Sequence, residues 1–216
     1  MKHRIDTKTW ERRDNWLFMK EFANSWYSIT SEVDCTEALN ESKQNHTSFF
    51  IKYLYAILRA ANEVRELGYR PDGEGVCWFD TLGATVPVAV KGGTFYTVLI
   101  PYIEDYQAFY DKVKEIIADI PENGDPYGVN RELIESGETG VVNISATPTL
   151  YFTSMTYTFH KPGLGSDWPL INVGKAMRKE GRWVMPIGIY VDHCFVDGAN
   201  LGEFMNKVQR FLGAAL

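Results

Sequence analysis

Of the four histidines in this 216-residue chain (His3, His46, His160 and His193), only His193 sits among groups that suggest a reaction. It lies in Tyr190-Val191-Asp192-His193-Cys194-Phe195-Val196-Asp197-Gly198, an H-x-x-x-D-G pattern between an apolar run and an amphipathic one. An imidazole at a strand end can face a cleft, and its near-neutral titration suits proton removal at physiological pH. Asp197 stands where the cap of a following helix belongs, and Gly198 permits a tight turn. The same residues also make an ordinary strand-turn-helix junction with an incidental histidine, and spacing alone leaves both readings open. His160 precedes Lys161-Pro162 in what reads as a loop, His46 precedes a helix cap at Thr47, and His3 belongs to a terminus expected to fray. No pair has metal-ligand spacing, and Cys35, Cys77 and Cys194 stand apart without a CxxC, so no metal is expected. Neither a P-loop nor a G-x-G-x-x-G motif is present to cradle phosphates.

The elements that position His193 follow from periodicity. Trp183 to Val191 reads as the strand that delivers it, and Gly198 to Leu212 as the helix that leaves it, with Leu201, Phe204, Met205, Val208 and Leu212 on one face. Upstream, Thr9 to Phe22 reads as a helix, Trp26 to Val33 as a strand, and Thr36 begins a short helix. Thr47 is expected to cap a long helix through Phe50, Leu54, Ile57 and Ala61, with Gly68 as its stop. Val76 to Phe79, Ala84 to Val90 and Thr94 to Ile100 read as strands, the last two joined through Gly92-Gly93. Asp105 to Ile120 is predicted helical and Pro121 to Asn130 turn-rich. Val141 to Ser145 and Leu150 to Thr158 complete the predicted strands. Mixed elements with hairpin-like pairs point to a mixed-sheet α/β sandwich rather than a doubly wound fold. No linker or repeat divides the chain, so one domain over residues 1–216 is expected.

Composition narrows the classes. A net charge of −6 without a Lys/Arg run argues against nucleic acid as partner. No stretch of 18 apolar residues exists to cross a membrane, and Met1 to Asp6 lacks an apolar signal core. Three unpaired cysteines then fit a reducing cytoplasm. Six Trp, twelve Tyr and twelve Phe describe either a large aromatic core or an aromatic-lined pocket.

The stretch Met185 to Gly198 resembles the active-site signature of chloramphenicol acetyltransferases. Asn143-Ile144-Ser145-Ala146-Thr147-Pro148 through Phe152-Thr153-Ser154 resembles their serine-bearing strand, and Trp10-Glu11-Arg12-Arg13-Asp14 their first helix. Asp80, Thr94-Phe95 and Lys175 fall in order between these blocks, so the resemblance spans nearly the whole chain. Dihydrolipoyl acyltransferase catalytic domains share H-x-x-x-D-G, but the other blocks favour the antibiotic-modifying family.

The resemblance implies a two-layer mixed-sheet sandwich of the CoA-dependent acyltransferase type and an O-acetyltransferase using acetyl-CoA. The acceptor would be chloramphenicol or a related hydroxyl-bearing xenobiotic. It implies His193 as general base, Ser154 as oxyanion donor, and Asp197 paired with Arg12 to hold the histidine loop. Phe95 would line the acceptor pocket, Asn172 would lie beside the oxyanion, and Lys175 would face the CoA. It further implies a homotrimer with active sites at subunit interfaces. The chain departs from the family pattern at several places. Asp192 replaces the first of a His-His pair, and strand alternation points it away from His193. Thr147-Pro148-Thr149 replaces Asn-Pro-Trp, and Asn172 replaces a threonine. Ala176 replaces an aromatic, and Ser48 and Phe50 replace a basic residue and a tyrosine near the CoA nucleotide.

Overall fold

The computed structural model describes residues 1–91, 93–121, 124–158 and 167–213. His160 lies outside them, as does Gly92 of the predicted turn. The central element is β10 (Arg182–Asp192), the strand that ends at His193. It pairs antiparallel with β2 (Trp26–Asp34) on one side and β8 (Leu170–Gly174) on the other. From β8 the sheet continues through β7 (Val141–Thr147) and β5 (Gly83–Ala89), both parallel steps, to the antiparallel edge strand β6 (Phe95–Ile100). β9 (Met177–Lys179) pairs with the start of β10. A separate three-stranded sheet orders β1 (Lys2–Arg4), β4 (Gly75–Phe79) and β3 (Tyr69–Asp72).

Alternation along β10 divides its surroundings. Ile187, Ile189 and Val191 are fully buried in one core cluster with Leu54 and Ile57 of α3 (Phe49–Asn62) and Phe204 and Val208 of α6 (Gly198–Gly213). Helix α3 is apolar nearly all round and lies buried through most of its length, as such a helix must. The helices α1 (Arg13–Met19), α2 (Thr36–Gln44), α4 (Tyr106–Ala118) and α5 (Gly128–Ser136) complete the fold. The opposite face of β10, at Gly188 and Tyr190, is crossed by residues 151–158.

Several sequence expectations need correction. The first helix is only Arg13–Met19, because residues 6–12 turn to bury Trp10 against Tyr69 and Phe195. Helix α3 is capped by Ser48, whose Oγ accepts from Ile51 N at 3.3 Å, while Thr47 N closes on Ser42 O of α2. That helix ends at Asn62, before Gly68. Gly68 instead lets the backbone approach β4, where a Cβ would meet Phe79 O at 2.7 Å. The stretch Leu150 to Thr158 forms no strand in residues 151–158. Its alternating pattern is satisfied by packing on the sheet face rather than by a ladder. β3, β8, β9 and α5 were not foreseen; the turn-rich segment gives way to α5 at Gly128. His3 is not frayed: it pairs across from Trp78, stacks on it at 5.2 Å and contacts Asp80 Oδ2 at 2.9 Å.

Candidate active site

His193 is held by the turn that joins β10 to α6, and nearly every polar atom of that turn is engaged. The backbone amides of Phe195 and Val196 donate to Asp192 O at 3.1 and 3.0 Å. Asp192 Oδ1 accepts from Cys194 N at 2.9 Å and from Ser25 Oγ at 2.7 Å, so this carboxylate braces the turn. His193 N donates to Ser25 O at 2.9 Å, and Asn15 Nδ2 donates to His193 O and Cys194 O at 3.0 and 3.3 Å. Ser25, just before β2, and Asn15 of α1 thus grip the turn from two sides.

The imidazole is half-buried and oriented by two contacts. Its Nδ1 lies 3.0 Å from Val196 O. A carbonyl only accepts, so Nδ1 carries the proton and Nε2 keeps its lone pair. The Tyr27 ring packs against it at a centroid distance of 4.7 Å and 41°. Burial, reinforced by the Asp197 charge and opposed by Arg12, pushes the Tyr27 phenol up to about 12, so it stays neutral. Its hydroxyl donates a long hydrogen bond to Val196 O at 3.4 Å.

Asp197 serves two partners. Oδ2 accepts from Arg12 Nη1 at 3.1 Å, and Oδ1 accepts from Ala199 N and Asn200 N at 3.0 and 3.3 Å at the start of α6. Asp197 N in turn donates to Asn200 Oδ1 at 2.9 Å, a reciprocal cap. Burial disfavours the Asp197 carboxylate. The hydrogen bonds from Asn200, Arg12 and Ala199 outweigh that and hold its pKa below the ordinary value. Cys194 is buried; desolvation first, then the Asp192 charge, pushes its thiol up to about 12. It is therefore a neutral thiol and a poor nucleophile.

The structure brings Arg12 and Asp197 together at the turn that holds His193, and among the described residues the others picked from sequence make no hydrogen bond or ion pair with these three. Ser154 is exposed and makes no hydrogen bond among the described residues; it stands in the irregular segment that crosses the outer sheet face. Phe95 packs edge-to-face on Tyr127 at 5.4 Å, on β6. That strand is four steps from β10, about 19 Å at ordinary strand spacing. Asn172 is buried on β8 opposite Gly188, with Oδ1 accepting from Thr147 Oγ1 at 3.0 Å. Lys175 follows β8 with its side chain in solvent. Tyr27, Asn15 and Ser25 were missed from sequence. They reach His193 through the β2–β10 pairing and the α1 packing, for which no local pattern exists.

Comparison with known proteins agrees along the whole chain. The sequence matches the profile of the family described as chloramphenicol acetyltransferase over residues 1–209. A chloramphenicol acetyltransferase of Proteus mirabilis is 26% identical over 210 residues, 96% of this chain and 93% of that protein. Chloramphenicol acetyltransferase 3 of Escherichia coli is 24% identical, covering 99% and 98%. A solved chloramphenicol acetyltransferase structure superposes with a TM-score of 0.94 at 46% identity, covering 98% of this chain and all of that one. The dihydrolipoamide acetyltransferase of Azotobacter vinelandii shares the fold at a TM-score of 0.63 and 15% identity, covering 93% and 86%. With a match from the first strand into the last helix, through the turn that holds His193, this chain belongs to the chloramphenicol acetyltransferase family.

Proposed function

We propose that the protein transfers the acetyl group of acetyl-CoA directly to a hydroxyl of chloramphenicol, with His193 as general base. The observation that carries this reading is the Nδ1 contact with Val196 O, which leaves Nε2 as the basic nitrogen. Nε2 takes the proton from the acceptor hydroxyl, and the oxygen attacks the thioester carbonyl. Ser154 donates to the oxyanion of the tetrahedral intermediate. Collapse expels the CoA thiolate, which receives the proton from the His193 imidazolium. Arg12 and Asp197 hold the turn through their ion pair and touch no substrate.

In this reading Asn172, whose Oδ1 accepts from Thr147 Oγ1 at 3.0 Å, offers its amide nitrogen as a donor beside the oxyanion. Lys175, exposed, serves the CoA, and Phe95 lines the acceptor pocket. Ser154 is exposed and has no hydrogen-bond partner among the described residues, and Phe95 stands about 19 Å across the sheet from β10 at ordinary strand spacing. Both features support a homotrimer in which one subunit supplies His193 and its neighbour supplies Ser154 and Phe95. We place the enzyme in the cytoplasm; among the described residues no helix is long and apolar enough to cross a membrane.

The test is an assay with acetyl-CoA and chloramphenicol that follows free thiol and 3-O-acetylated drug. Both should appear in equal amounts. Thiol release with other hydroxyl acceptors but not with the drug overturns the acceptor assignment, and CoA binding without release overturns the catalytic one.

A further inference from the structure

His193 is the first residue beyond the β2–β10 ladder, whose last pair is Asp192 with Trp26. A chain leaving a ladder regains its choice of backbone angles, and the Cα–Cβ bond that aims an imidazole follows those angles. A general base has to be held to a fraction of an ångström. Whatever fixes the backbone of His193 therefore bears on catalysis.

Two side-chain turns face each other at this point. On β10, Asp192 Oδ1 accepts from Cys194 N at 2.9 Å and closes a ring around the backbone of His193. At the start of β2, Asn24 Oδ1 accepts from Trp26 N at 3.0 Å and closes the same kind of ring around Ser25. In such turns a short side chain stands in for a backbone acceptor and restricts the residue in the middle. The two middle residues are bonded to each other, His193 N donating to Ser25 O at 2.9 Å. A cross-link joins the turns as well, since Ser25 Oγ donates to Asp192 Oδ1 at 2.7 Å. One carboxylate oxygen thus serves both turns. The carbonyl of His193 is taken from the other side by Asn15 Nδ2 at 3.0 Å, so the peptide groups flanking the imidazole are engaged at both ends.

Asp192 stands where the resemblance places the first of two histidines. A neutral imidazole has a single acceptor nitrogen, whereas a carboxylate oxygen accepts two hydrogen bonds. The double contact from Ser25 and Cys194 therefore suits this chain's aspartate, and the paired turns are built from its own residues.

We propose that Asp192, Ser25 and Asn24 are positioning residues for catalysis, the two facing turns fixing the backbone of His193 and with it the direction of the imidazole. The proposal rests on His193 being the general base, and the two readouts below separate the two ideas.

The first is steady-state kinetics with acetyl-CoA and chloramphenicol. Asp192→Ala should lower kcat about thirtyfold, and Ser25→Ala and Asn24→Ala about threefold each, with KM for both substrates within about twofold. Asp192→Asn keeps an acceptor oxygen in the same place and should recover kcat to within about threefold of the parent. In an Asp192→Ala background, Ser25→Ala should cost nothing further, because its hydroxyl acts through that oxygen. If Asp192→Asn loses as much as Asp192→Ala, the charge acts rather than the turn and the proposal is overturned. A loss that lies in KM alone overturns it too.

The second readout needs no turnover. The carbon–proton resonance of the His193 ring is identified by its disappearance in His193→Ala. It should be single and narrow in the parent and in Asp192→Asn, and broadened or split in Asp192→Ala. Ser25→Ala should broaden it less, which keeps the test decisive if Asp192→Ala does not fold. An unchanged resonance overturns the proposal even if His193→Ala is inactive. A split resonance alongside a fully active His193→Ala upholds the turns as what orients the ring and refutes His193 as the base.

Discussion

Asp197→Asn separates the ion pair from the helix cap. The side-chain oxygen of Asn caps as well as that of Asp, so the bonds from Ala199 N and Asn200 N survive and only the anion facing Arg12 is lost. Arg12 is 15% exposed, and its Nε has no hydrogen-bond partner among the described residues, so the guanidinium left behind is poorly solvated. Breaking a fully buried pair costs about 3–5 kcal/mol and a surface pair about 0–1 kcal/mol. With Asp197 39% exposed, this pair lies between them, at about 2 kcal/mol. For a chain of this length that lowers Tm by roughly 4–8 °C. Asp197→Ala, which removes the cap as well, should cost about 1 kcal/mol more.

The effect carries a pH signature. The folded carboxyl titrates below its unfolded value, so the native state binds fewer protons. The stability this adds is complete above the unfolded value and lost as pH falls through the folded one. The gap between wild type and Asp197→Asn should therefore be full at pH 7 and shrink below about pH 4. Because Val196 O, one residue away, orients His193, kcat should fall about tenfold with KM little changed. Melting curves at both pH values and steady-state rates at pH 7 measure all of this. Lost activity with wild-type melting would refute the structural role and make Asp197 a chemical participant.

His193→Ala should lower kcat by about 10²–10⁴-fold while the protein still folds, since it removes the base and one hydrogen bond; a folded variant keeping more than about a tenth of the rate excludes His193 as base. Incubation with acetyl-CoA alone should leave the intact mass unchanged, because the Cys194 thiol is neutral and buried; a stable acetyl adduct on Cys194 would replace direct transfer with a ping-pong route. Equal amounts of His193→Ala and Ser154→Ala subunits, unfolded and refolded together, should recover about a quarter of wild-type activity through the directed pairing of a cyclic trimer. Recovery of only the parental average in verified mixed trimers would place both residues in one subunit.

The H-x-x-x-D-G pattern, the strand before it and the amphipathic helix after it are local, and periodicity alone located them. The resemblance supplied Arg12 as the partner of Asp197 across 185 positions, which no spacing rule could have done. Other features became visible only in the folded chain. Leu150 to Thr158 alternates like a strand, yet its residues 151–158 lay Phe152 and Tyr157 on the outer face of β8 and β10 and form no strand ladder among the described residues. Five-residue β8 and three-residue β9 are too short to signal themselves and exist because β10 offers them partners. Most consequentially, the nitrogen of His193 that stays basic is chosen by Val196 O, and the ring that packs on it comes from Tyr27, 166 positions away in sequence. Local periodicity records which side of an element meets apolar surface. Which carbonyl accepts a proton, and which ring lies over another, depends on backbones brought together across the sheet, and only the tertiary structure decides that.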